Sequence, residues 1–122
     1  YELIKKGEAF IVFGYINGDL VSAALFIYNR HCCFYSVSAS DRSLFDKPIS
    51  HIILWEAILH SKKSRCLVFD LAGQNFPGDQ PSPNEKQIKI SRFKRGFGGA
   101  TNIQVNLNLK VLGSSNLSNI IK

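Results

Sequence analysis

From residue 101 to 112 the chain alternates: Ile103, Val105, Leu107, Leu109 and Val111 fall on every second position, with mostly polar neighbours between them. A period of two predicts a strand with one buried face. Three earlier runs lack that alternation. Residues 9–16, "AFIVFGYI", are aromatic and β-branched, and Asn17-Gly18-Asp19 follows. Asn-Gly accepts positive φ at both centres of a tight turn, so a hairpin is predicted. Residues 20–28, "LVSAALFIY", form the return strand, with Ser22 its only polar position before Tyr28. Such a strand is expected to be central and covered on both faces. After a turn at 29–31, "CCFYSVSAS" (32–40) makes a third strand.

The spacing then changes to a helical one. Asp46 is a candidate cap and Pro48 suits a first turn. A helix is predicted over 49–61, "ISHIILWEAILHS", leading into Lys62, Lys63 and Arg65 at its negative end. Its apolar residues lie nearly all round, so it is expected to be covered on more than one side. Residues 65–73, "RCLVFDLAG", read as a buried strand, parallel to the third through the helical crossover. A proline-rich loop follows. A short helix is predicted over 84–95, with Gly96 as its left-handed stop. The order is β-β-β-α-β-α-β, a mixed α/β (α+β) domain over 1–112 with a polar tail at 113–122.

Composition changes this picture little. The chain has 122 residues, 45% hydrophobic and 20% charged, which fits one globular domain. A formal net charge of +6 favours anionic partners such as tRNA or phosphorylated molecules. Three cysteines, Cys32, Cys33 and Cys66, are too few and too oddly spaced for a disulfide framework. With no apolar run of membrane-spanning length and no signal-peptide pattern, a cytoplasmic protein is expected. The first residue is Tyr1 rather than Met, so a processed chain or a fragment is expected.

Candidate chemistry gathers at "ISRFKRGFGGA" (90–100). It is neither a Walker loop nor a dinucleotide fingerprint: no Gly-Lys-Ser/Thr follows a strand, and the glycines close a helix instead of opening one. Arg92, Lys94 and Arg95 could form a phosphate or nucleic-acid patch, or a solvated basic helix end. Phe93 and Lys94 project about 100° apart on a helix. With Phe93 on the sheet, Lys94 would lean over its edge, where an ammonium can stabilise an oxyanion. Asp70 closes a strand where ligands bind in α/β sheets, or else caps the next turn. Gln74 and Asn75 would bond a substrate amide or their own loop. Glu56 and His60 read as an i,i+4 surface pair. Adjacent Cys32 and Cys33 point to opposite faces and do not share an ion, so no metal site is expected.

Four segments in order, "CFYSVSASDRS", "PISHIILWEAI", "CLVFDLAG" and "ISRFKRGFGG", resemble the GNAT-like domains of the FemABX peptidyltransferases and related acetyltransferase-type domains. The matching residues are Tyr35, Ser36, Ser38 and Ser40, then Trp55, then Asp70, Leu71 and Gly73, then Phe93, Lys94, Gly96, Phe97 and Gly98. The likeness runs from about residue 11 to 111. It implies a GNAT-like mixed sheet and transfer of an acyl or aminoacyl group to an amine, on a small molecule or peptide of the cell-wall kind. Lys94 and Asp70 would be catalytic: Lys94 would serve the oxyanion or the phosphate of the donor, with Phe93 positioning it, and Asp70 would orient the acceptor or line the cleft. Tyr35, Ser38, Gln74, Arg92 and Phe93 would bind substrate. The donor would be an aminoacyl-tRNA or an acyl-CoA. Residues 41–50 lack the glycines with which such domains hold pyrophosphate, which points toward the tRNA ester. Members usually pair two such domains, so the resemblance implies half of a two-domain protein that dimerises or meets a partner domain. The other reading is a non-catalytic module of this fold that binds an anionic ligand or itself.

Overall fold

A computed structural model describes residues 1–103 except Phe45. The strand expected at 101–112 and the tail at 113–122 lie largely outside the described residues. A short helix not foreseen, α1 (Glu2–Lys5), leads into β1 (Ala9–Ile16), β2 (Asp19–Tyr28) and β3 (Cys32–Ser40). Next come α2 (Ile49–Lys63), β4 (Val68–Asp70) and α3 (Glu85–Arg95). The sheet order is β1-β2-β3-β4; the first two pairings are antiparallel and the last is parallel. This is the expected mixed α/β order as far as Ile103. Among the described residues, no helix is long and apolar enough to cross a membrane.

The hairpin forms as its sequence dictates. Asn17 and Gly18 both take positive φ, 51° and 92°, which matches the right-handed twist of the strands they join. The parity of β2 then sorts the side chains. Ser22, Ala24 and Phe26 point to the face under α2 and are buried. The core is Ala24, Phe26, Cys33, Ile53, Leu54 and Ala57, with Phe10, Val12, Tyr35, Phe69, Phe93 and Phe97 packed against it. Ser22 satisfies its hydroxyl on Ser40, 2.7 Å away. A bulge in β3 at Ser36, between the pairs Leu25–Val37 and Phe26–Tyr35, keeps Tyr35 and Ser38 both on the α2 side.

The other face of the sheet departs from expectation. Ile11, Phe13, Tyr15, Phe34 and Val37 are exposed there, and Val21, Ala23, Leu25 and Ile27 are only half-buried. So β2 is central, yet one of its faces is open. Likewise α2 buries Ile53, Leu54 and Ala57 but leaves Ile52 and Trp55 exposed.

Helix ends also differ from their sequence signals. Asp46 does not cap α2: its N-cap is Pro48, with no side-chain bond. Asp41 instead accepts from the backbone N–H and hydroxyl of Ser43. At α3, Asn84 accepts from Gln87 N while the Gln87 side chain accepts from Asn84 N, a full capping box. Gly96 stays right-handed at φ −61°; the left-handed glycines are Gly98 and Gly99. The box makes a direct prediction: Asn84→Ala lowers stability by about 1 kcal/mol, read as a shift in urea midpoint with the slope unchanged.

Candidate active site

The crossover from β3 through α2 makes β3 and β4 parallel neighbours, with Cys33 opposite Phe69 and Phe34 opposite Asp70. The carboxyl end of β4 is therefore where the chain turns toward α3. Ser91 ties the two together. Its hydroxyl donates to Gln87 O and accepts from Asn75 N–H, both at 2.8 Å. Ser91 is buried and was missed in the sequence. The signal for it was position alone, one helical turn before Lys94.

The clamp seats α3 so that Lys94 turns inward. Its residue is 8% exposed, the only buried charged residue among those described. Nζ donates to Gly73 O at 2.8 Å and stands 6.0 Å from the centre of the Tyr35 ring. Burial pushes the ammonium pKa down, and the Asp70 carboxylate pulls it partly back. The Tyr35 ring stacks on Phe26, and its hydroxyl bonds Ser38 Oγ at 2.5 Å. Phe93 packs edge-on against His51 and Phe97. Lys94, Tyr35, Ser38 and Phe93 thus gather on the α2 side of the sheet.

Other residues singled out in the sequence lie apart. Register places Asp70 with Cys32 and Phe34 on the opposite face, while Phe69 enters the core. Its carboxylate accepts from Ala72 N at 2.7 Å, holding Ala72 in a left-handed turn (φ 63°). Asp70 thus reaches Lys94 through its charge. Gln74 accepts from Arg95 Nη1 at 3.4 Å, and Arg95 also lies over the Phe76 ring. Arg92 is exposed. The three cations thus do not form one patch, because Lys94 is turned away from the other two.

The remaining candidates settle into structural roles. His60 packs on the Phe10 ring, centroids 4.3 Å apart, instead of pairing with Glu56. Burial pushes the Cys32 and Cys33 thiols up, which argues against a thiolate nucleophile at neutral pH.

What this geometry offers is one ammonium beyond the carboxyl end of a parallel strand, released from strong hydration and facing the Tyr35 ring. An ammonium held in that way is worth more to a developing negative charge than one in water.

No family model matches the chain, and no curated protein does. Solved structures do match. A ribosomal-protein-alanine N-acetyltransferase from Brucella melitensis biovar Abortus 2308 superposes with a TM-score of 0.63 at 10% identity, over 90% of this chain and 76% of that one. A Trypanosoma brucei acetyltransferase gives 0.61 at 14% identity, over 88% and 74%. AAC(6′)-Iy, in complex with the bisubstrate analogue CoA-S-monomethyl-acetylneamine, gives 0.65 at 12% identity, over 91% and 75%. At such identities the likeness shows the fold, which is that of the GNAT acetyltransferases.

Proposed function

We propose that this domain transfers an acyl group from an activated carbonyl to the amine of a small-molecule or peptide acceptor. The observation that carries the reading is the buried Lys94 ammonium, held on Gly73 O at the carboxyl end of β4. In the reaction, the nitrogen lone pair of a neutral amine attacks the carbonyl carbon and a C–N bond forms. The carbonyl oxygen becomes an oxyanion, and Lys94 stabilises it. The attacking nitrogen loses a proton to solvent or through the Tyr35–Ser38 hydroxyl pair. The C–S bond of a thioester, or the C–O bond of an ester, then breaks and the leaving group takes up a proton.

The other residues support this reaction. Asp70 fixes the turn that presents Gly73 O and moderates the ammonium through its charge. Phe93 holds Lys94 in line by packing on His51 and Phe97. Gln74 lies beside that carbonyl, and exposed Arg92 meets donor phosphates.

Coenzyme-A thioesters are the preferred donors, because a structural neighbour carries a CoA bisubstrate analogue. The N-terminus of α2 also suits them: no side chain caps it, so its first N–H groups are open to an anion. The test is transfer of a labelled acyl group from acetyl-CoA to amine acceptors, aminoglycosides and amino-terminal peptides among them, with aminoacyl-tRNA as a second donor arm. Labelled amide product is expected from the CoA arm. Product from the tRNA arm alone would correct the donor. No product from either, together with no thermal shift on adding CoA, would overturn the transferase reading in favour of a non-catalytic module.

A further inference from the structure

The outer edge of the sheet is apolar and exposed: Ile11, Phe13 and Tyr15 on β1 all stand in solvent. In the order β1-β2-β3-β4, β1 has no neighbour on one side among the described residues. Its eight residues, "AFIVFGYI", contain no charge and no proline. Edge strands that stay free carry a lysine, a proline or some other block to pairing, because their open N–H and C=O groups are a template for another strand. Beside this edge lies a groove of about 470 Å³ between β1 and α2. Ile49, Ile52 and Ile53 form its helical wall, and Val12 and Gly14 line its strand side. Phe13 and Tyr15, 50% and 62% exposed, stand on the other side of the same edge.

The groove carries charge of both signs. Lys47 and Glu56 are the charged residues in its lining, both are exposed, and neither has an ion-pair partner among the described residues. Their levels along β1 follow from the packing. A Cβ on Gly14 would meet Ile53 at 3.1 Å and Ile49 at 3.6 Å, whereas Phe10 lies against His60. So α2 runs opposite to β1, with Lys47 beyond the Gly14 end and Glu56 between the levels of Gly14 and Phe10.

We infer that the occupant of this edge is a second copy of the chain, its β1 paired antiparallel with the first across a two-fold axis. A two-fold near Gly14 exchanges the ends of the groove and brings Lys47 of one copy to Glu56 of the other, twice. A surface that is complementary to itself is what an isologous interface requires. The helices also fit. α2 packs over β1 and β2 and reaches β3, and strands lie about 4.8 Å apart. Across the seam the two α2 helices would stand roughly 12–15 Å apart, a span that the long side chains of Lys47 and Glu56 bridge. Antiparallel pairing about Gly14 puts the odd residues of both copies on one face, so Phe13 of each copy meets Tyr15 of the other across the seam.

The test is solution mass by light scattering over a concentration series. Wild type is expected at twice the 13.7 kDa chain mass. Lys47→Glu and Glu56→Lys each place like charges across the seam and weaken association about tenfold or more. The double exchange, Lys47→Glu with Glu56→Lys, restores it. Phe13→Lys puts a gatekeeper charge on the edge and gives a monomer whose far-ultraviolet circular dichroism is unchanged. The charge variants lie on exposed positions, so the test does not depend on Phe13→Lys folding. A monomeric wild type overturns the proposal and leaves the edge to a different partner. A dimer indifferent to both single reversals overturns it too.

Discussion

Lys94→Met is expected to slow acyl transfer by about 10²–10³-fold, the usual effect of losing one oxyanion donor, without lowering the melting temperature at pH 7. Methionine fills nearly the volume of the lysine stem and keeps the packing between Tyr35 and the β4 turn. It removes the charge, whose burial the fold resists. The lost bond leaves Gly73 O without Nζ, but Gly73 is exposed and water replaces the donor. The pH dependence of stability reads the burial of this ammonium, and the transfer assay reads its part in the chemistry. The ammonium pKa is lower in the folded chain than its ordinary 10.5. Between those two values the unfolded chain holds one more proton than the folded one, so stability rises with pH through that window. Below it, both states are charged and the folded state bears the full cost of the buried ammonium. In Lys94→Met that rise toward pH 10.5 disappears, and stability at neutral pH equals or exceeds that of wild type. Chemical unfolding at several alkaline pH values, run beside the transfer assay, reads both. Retained turnover in Lys94→Met would remove Lys94 from the chemistry.

Features of the fold written in a few adjacent residues were legible in the sequence. Asn17-Gly18 set its turn with no help from distant residues. The start of α3 at Asn84 was set by the residues beside it. The neighbouring positions of Phe93 and Lys94 were enough to send one against His51 and Phe97 and the other over Tyr35. Features that depend on pairing across long stretches of chain were not. Which face receives Asp70 depends on the register between β3 and β4, set by a parallel contact across the whole of α2; a one-residue slip would have reversed it. Gly96 was a plausible left-handed stop, but the reversal falls at Gly98 and Gly99, where the chain leaves the helix for good. Ser91 carries no motif: its role appears only once the loop at Asn75 lies against it. The open edge of β1 could not be read from the strand, since its composition is that of a covered strand.

Phe26→Ala is expected to cost about 3–5 kcal/mol, enough to unfold much of a domain of this size, whereas Trp55→Ala should cost under about 1 kcal/mol. The sequence leads one to expect α2 to be covered on more than one side; the structure corrects this at Trp55. Trp55 is 53% exposed on the outer side of α2, while Phe26 is 0% exposed. The Phe26 ring stacks between Phe10 and Tyr35, centroids 5.1 and 5.5 Å away, with Phe69 at 5.8 Å. Truncating it opens a cavity among rings fixed by three strands, and β-sheet backbones do not collapse to fill such a space. The same cavity removes the support beneath Tyr35, so the Tyr35–Ser38 hydroxyl pair and the ring below the Lys94 ammonium lose their place. Activity in Phe26→Ala should therefore fall before the chain unfolds. Urea unfolding followed by far-ultraviolet circular dichroism, at one protein concentration for all variants, measures the difference. A Trp55→Ala loss as large as that of Phe26→Ala would mean that α2 is covered on its outer face as well, and that the exposed side of the helix is an interface.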